Sequence, residues 1–298
     1  MITPIIFPSA LDYWKNSRSY RDEAVSVNWN SPGLFDSHSL LMVAQKYDIR
    51  TPIHIMVPND AQRHKGVEFC CHTRPKNLPD ESFVKIADNV FVGSPELCFL
   101  QAARTYSLVD LVILANDLCA IYVQDSFSVY GQRRRTPVTD VRRITEFLTS
   151  KSKVYYSEKA LKAIKYASDC SNSPIESMLA AIMKMSLASG GYALAGLRLN
   201  YDIKLSADAA DYYGAETLCS DFVWPEKKVS CEYDSNLTHL MVKQHMRDKK
   251  RMTALSMSGY TVFSITEHDL HSVSDLEQIL LNVRKTLGMR MLPDRFAK

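Results

Sequence analysis

The sequence predicts an α/β protein, an N-terminal α+β module followed by a larger alternating unit, and three observations carry that expectation. The last third reads as helix, three strands, helix, strand, helix, an alternation that folds as a sheet layered with helices. Residues 1 to about 115 instead mix short apolar runs with turn signals. The composition, 46% hydrophobic and 23% charged over 298 residues, excludes a disordered, collagen-like or coiled-coil chain and supports a sizeable core. No apolar run approaches the ~20 residues of a membrane helix, and the opening MITPIIFPSALDYW lacks a basic leader. The expectation is a cytoplasmic protein with no membrane partner.

In the first module, residues 51–58 read as a strand closed at both ends by Pro52 and Pro58. Residues 66–72 and 90–93 read as two more strands. Ser94-Pro-Glu96 then opens a helix, with Ser94 as N-cap, Pro95 at the first helical position and an acid in the first turn. Residues 130–170 read as a basic helical connector: Arg133, Arg134 and Arg135 precede Thr139, a candidate N-cap, and Lys151, Lys153, Lys159, Lys162 and Lys165 follow. Clustered cations of this kind suit phosphate contact or a solvated helix face. The net charge of only +3 makes their distribution, rather than their number, the nucleic-acid signal.

The seven cysteines, Cys70, Cys71, Cys98, Cys119, Cys170, Cys219 and Cys231, are scattered and form no CxxC pair. Reduced thiols in a cytoplasmic protein are expected, with no zinc site; His54 and His72 read as structural histidines.

In the last third, Ser173-Pro-Ile-Glu176 starts a helix. Strands are expected over residues 197–205, 216–223 and 229–234, the last two joined by the proline-containing loop 224–228. A helix over residues 240–258 stops at Gly259, residues 260–265 form a β-branched and aromatic strand, and residues 274–287 a closing amphipathic helix. Strand alternation puts Val229, Cys231 and Tyr233 on one face and Glu232 and Asp234 on the other; Thr217, Cys219, Asp221 and Val223 share a face of the preceding strand. The short hairpin then brings Asp221 beside Glu232 and Asp234. Adjacent carboxylates repel, and a hard divalent cation such as Mg²⁺ relieves that repulsion.

Ser-Pro-Ile-Glu176, Asp221-Phe-Val-Trp-Pro-Glu226, Glu232-Tyr-Asp-Ser235 with His239, and Asp248-Lys-Lys-Arg251 with Leu255 and Gly259-Tyr-Thr-Val262 together resemble the PD-(D/E)XK nuclease superfamily, in its very-short-patch-repair-like branch. The resemblance implies a restriction-endonuclease-like αβββαβ core over residues 171–298 and a Mg²⁺- or Mn²⁺-dependent DNA endonuclease acting in defence or repair. It implies Asp221 and Glu232 as metal ligands, Glu176, Asp234 and His239 as further catalytic positions, and Lys249, Lys250 and Arg251 beside the basic Arg133–Arg135 stretch as DNA contacts. Two positions depart from the pattern: Asp234 occupies the usual lysine position and Ser235 the usual glycine. His239, Lys249 or Lys250 would then have to supply the missing positive charge.

The 51–58 and 67–72 strands with Val92-Gly-Ser-Pro-Glu96 are similar to the C-terminal domain of AbiEi-type antitoxin and regulator proteins. That resemblance implies a module over residues 1–129 and a protein partner in a toxin-antitoxin or defence system. The alternative function, a catalytically silent DNA-binding or antitoxin-like regulator, is favoured by Asp234 at the lysine position. Simpler roles compete at several positions. Ser173-x-x-Glu176 fits a capping box, Asp221 a turn residue, Asp234 a strand end, His239 a helix surface, and Asp248 with Arg251 an i, i+3 ion pair.

Overall fold

The computed structural model describes residues 4–17, 25, 27, 29, 36–64, 66–79, 81–125, 128, 131–150, 156–234 and 242–290, with only the backbone of 242–247. It is mixed α/β and divides into two units, residues 1–169 and 170–298. The second unit starts next to the residue at which the sequence places the nuclease-like domain. No helix among the described residues is long and apolar enough to cross a membrane.

The first unit contains α1 (Ser9–Asn16), α2 (Ser37–Lys46), β1 (Ile53–Val57), β2 (Phe69–Thr73), β3 (Phe83–Ala87), β4 (Val90–Gly93), α3 (Pro95–Ala102), α4 (Leu108–Leu118), β5 (Tyr122–Gln124), β6 (Gln132–Arg134), α5 (Val141–Thr149) and α6 (Ser157–Ile164). β1 and β2 run parallel, while β3–β4 and β5–β6 are antiparallel pairs. Ile5, fully buried, bridges to Ile55 on β1 and to Val92 on β4, so the two pairs share one core. α3 starts as its sequence requires, Ser94 Oγ accepting from the Leu97 amide at 3.2 Å with Pro95 in the first turn.

The stretch expected as a separate connector belongs to this unit: α5 packs against α3, and α6 against α4. The N-cap of α5 is Asp140, which accepts from the Arg143 amide at 2.8 Å, and not Thr139. Thr139 is drawn inward because its hydroxyl donates to the buried Glu96 carboxylate.

The second unit contains α7 (Pro174–Lys184), β7 (Arg198–Lys204), α8 (Ala207–Tyr213), β8 (Thr217–Trp224), β9 (Val229–Asp234), α9 (Val242–Met257), β10 (Thr261–Thr266), α10 (Glu267–Leu270) and α11 (Val273–Thr286). The sheet order is β10-β9-β8-β7; β7, β8 and β9 form an antiparallel meander, and α9 carries the chain across to β10, parallel to β9. Helices cover both faces. Leu179, Ala180 and Met183 of α7 and Leu280 and Val283 of α11 pack with Leu199, Phe222, Trp224, Val229, Cys231 and Ile265 on one face. Ala209 of α8 and Ala254 and Leu255 of α9 pack with Ile203, Leu218 and Val223 on the other. Each such large apolar side chain taken fully out of water contributes about 1.5–3 kcal/mol.

The strict alternation expected along β8 is broken. Thr217 and Cys219 are exposed, but Val223, which alternation would group with them, is buried beside Leu218. β7 breaks at the matching point: Leu199 lies on the α7 face, whereas Ile203 lies on the α8 face. Leu199 pairs with Phe222 and Tyr201 with Ser220, so Asn200 and Asp221 sit opposite each other at the break. Asn200 has φ +46°, the left-handed region that Asn tolerates better than most residues. This two-strand kink shapes the site described next.

Candidate active site

Three carboxylates and one guanidinium meet where α7, β7, β8, β9 and α9 come together. Glu176 arrives on the first turn of α7, fixed there by the helix start: Ser173 Oγ accepts from the Glu176 amide at 3.2 Å and donates to Glu176 Oε1 at 3.0 Å. Its second oxygen accepts from the Asn172 amide at 2.9 Å and from Asn200 Nδ2 at 2.7 Å. The capping role and the site role thus coincide in one side chain. Glu176 is only 6% exposed, and burial, with added repulsion from Glu232, raises its pKa despite these three donors to its carboxylate.

Asp221 lies at the kink. Its Oδ2 accepts from the Tyr233 amide at 2.9 Å, and among the described residues no hydrogen bond reaches Oδ1. It is therefore held by the neighbouring strand and is no turn residue. Burial, then the charges of Glu232 and Glu176, push its pKa up to about 7, against the pull of the Tyr233 amide and Arg251.

Glu232, on β9, is the one of the three paired with a cation among the described residues. Oε1 accepts from the Ser220 hydroxyl and from the Ser230 hydroxyl at 3.2 Å, and Oε2 from Arg251 Nη2 at 2.8 Å. Ser220 and Ser230, both fully buried, also contact each other at 2.7 Å. Arg251 reaches from α9 and donates as well to the Cys219 carbonyl at 2.9 Å. Its pairing with Glu232 replaces the expected i, i+3 pair with Asp248. Apart from Arg251, which the sequence offered as a DNA contact, these partners were not legible as site residues: Ser220 and Ser230 carry no motif, and the left-handed turn at Asn200 lacks the glycine that would announce it.

The arrangement is unbalanced in charge. With all groups ionised, three carboxylates face one guanidinium, which leaves two negative charges uncompensated. The geometry is looser than a finished coordination shell, since among the described residues no three of these acids place their oxygens all within 4.8 Å of one another. The donor set of carboxylates suits a hard cation, and Asp221 Oδ1 is the uncommitted ligand atom. Asp221 and Glu232 would hold such an ion.

The remaining expected positions are placed as follows. Asp234 ends β9, half-buried, with no cation against it among the described residues. His239 and Ser235 lie outside the described residues. Lys249 is exposed on α9, and the Lys250 ammonium sits 5.7 Å from the Tyr212 ring centroid. In the first unit Arg134 is exposed and Arg133 pairs with Asp125 at 3.5 Å. Arg135 is a correction to the expected phosphate contacts: it donates at 2.8 Å to the carbonyls of Trp14 and Asp117, and burial brings its pKa down to about 10. It braces the first unit through these two carbonyls.

Compared with protein-family models, with curated proteins and with solved structures, the chain finds no match. The chemistry of the site itself carries the functional reading.

Proposed function

We propose that the second unit is a divalent-cation-dependent endonuclease that hydrolyses DNA phosphodiesters, with Mg²⁺ or Mn²⁺ held by Asp221 and Glu232. The observation that carries this reading is the crowding of Asp221, a half-buried carboxylate beside Glu176 and Glu232 that is left with one open oxygen, surroundings that also raise its pKa. Strong perturbation by burial and like charges marks functional sites more often than structural ones. A bound divalent ion would supply a Lewis acid for the phosphoryl oxygens and acidify the attacking water. Glu176, fixed by three donors, provides the charge on the α7 side and would orient a water there. Arg251 fixes Glu232 and places a permanent positive charge at the rim where a phosphate would enter. The unit runs helix, strand, short helix, two strands, helix, strand, an α/β order compatible with this reading.

Nicking of supercoiled plasmid tests the reading. The wild type is expected to nick DNA with Mg²⁺ or Mn²⁺ and to stop on chelation, and Asp221→Asn to lose at least about 100-fold in rate, a typical cost of removing transition-state electrostatics. Equal nicking by wild type and Asp221→Asn would remove the assigned site.

One observation favours a second reading, a DNA-binding regulator without chemistry: Arg251 already compensates Glu232, and Asp234 stands where a lysine is expected. In that case DNA affinity would fall steeply with salt, as counterion release requires, with no cleavage and no cation requirement.

A further inference from the structure

The first unit gathers a second set of ligating side chains, one that sequence spacing did not announce. His54 on β1 stands directly opposite Cys70 on β2 in the parallel register, and His72 follows two residues later on the same face of β2. His54 Nδ1 lies 2.9 Å from His72 Nε2, and Cys70 Sγ lies 3.5 Å from the same nitrogen. The ligating atoms of all three lie within 4.8 Å of one another, the one His, Cys, Asp or Glu trio among the described residues that does so. The two rings stack at 5.1 Å with 20° between planes, so the nitrogens converge on one side.

A tetrahedral zinc ion with bonds of about 2.0–2.1 Å to nitrogen and 2.3 Å to sulfur spaces adjacent ligand atoms by roughly 3.3–3.6 Å. The observed Cys70–His72 separation already fits, and the His–His separation needs to open by a few tenths of an ångström. A simple hydrogen bond between two neutral imidazoles would explain the 2.9 Å contact but not the thiol at the same nitrogen. Burial lowers the pKa of His54, and burial, then His54, Arg104 and Arg63, lowers that of His72, the direction that favours the neutral imidazole a metal binds. Two imidazoles and one thiolate are a borderline-to-soft set that takes Zn²⁺ in preference to Mg²⁺. All three residues are half-buried, so the ion has a way in and a fourth position remains for water or another ligand.

We propose that the β1–β2 face binds one Zn²⁺ through His54 Nδ1, Cys70 Sγ and His72 Nε2, a site chemically distinct from the carboxylate cluster. On binding, the Cys70 S–H proton leaves to solvent as the S–Zn bond forms, with no change in redox state. The ion ties β1 to β2 and stabilises the first unit in proportion to its occupancy.

Titration of the full chain with Co²⁺ alone tests the proposal. One equivalent is expected to give the visible absorption of tetrahedral cobalt together with a thiolate-to-cobalt charge-transfer band, both displaced by Zn²⁺. Cys70→Ser is expected to lose the charge-transfer band while Cys71→Ser keeps it. His54→Ala is expected to bind at least about tenfold more weakly, since even residues that merely orient a metal ligand cost that much. Absence of a charge-transfer band in the wild type, or its survival in Cys70→Ser, overturns the site. Mapping alkylation on the wild-type chain covers the case of a variant that does not fold: Zn²⁺ should slow labelling of Cys70 and leave Cys170 and Cys219, both exposed, unaffected. Equal labelling of Cys70 with and without Zn²⁺ overturns it as well.

Discussion

Burial, then the charges of Glu232 and Glu176, outweigh the Tyr233 amide and Arg251, so Asp221 keeps its proton up to about pH 7 in the folded chain, against about 3.9 when unfolded. Below about pH 4 both states are protonated and the crowding has no cost; between about pH 4 and 7 the unfolded state ionises first, so stability falls through that window and levels off above it. Asp221→Asn keeps an acceptor for the Tyr233 amide and removes the charge. It is expected to raise stability by about 1–2 kcal/mol at pH 8, with the gain shrinking to nothing near pH 4, as read by urea unfolding at several pH values. Arg251→Met has the opposite sign. It strips Glu232, whose side chain is 15% exposed, of its counter-ion, and is expected to cost about 2–4 kcal/mol, less when combined with Glu232→Gln. Much of this site was legible in the sequence, because Glu176, Asp221 and Glu232 sit at element starts and on strands where burying an acid calls for a reason. Its supporting residues were not. Asn200, Ser220 and Ser230 act through contacts across strands and leave no local pattern, and Arg251, expected as a DNA contact, finds its partner Glu232 on another element.

Elements with strong punctuation were equally legible. α3 and α7 begin at Ser-Pro, and α9, ending at Met257, is followed by Gly259, whose φ of +84° favours a residue without Cβ. Gly259→Ala is expected to cost about 1 kcal/mol in a thermal or urea melt. Ser173→Ala should cost about 1–2 kcal/mol, since one hydroxyl caps α7 and donates to Glu176. The elements that escaped notice lack such signals. α8 is seven residues long and buries only Ala209, so it shows no helical apolar stripe. β5 and β6 are three residues each, too short for a period-two pattern. β8 misleads for another reason: its faces exchange at Asp221, so a single alternation cannot describe both halves.

At the scale of the whole chain, the two units carry different ligand chemistries, carboxylate oxygens in one and imidazole with thiol in the other. Mg²⁺ discriminates between them, because it takes oxygen ligands and ignores a His₂Cys set. The central claim is that the second unit holds negative charge that a hard divalent cation is meant to neutralise. Calorimetric titration of the full chain with Mg²⁺ at pH 7, repeated in buffers of different ionisation enthalpy, tests it most directly. One ion should bind per chain with release of about half a proton, surrendered by Asp221, and Asp221→Asn should show neither. An absence of Mg²⁺ binding, or binding by Asp221→Asn equal to that of the wild type, would contradict the account.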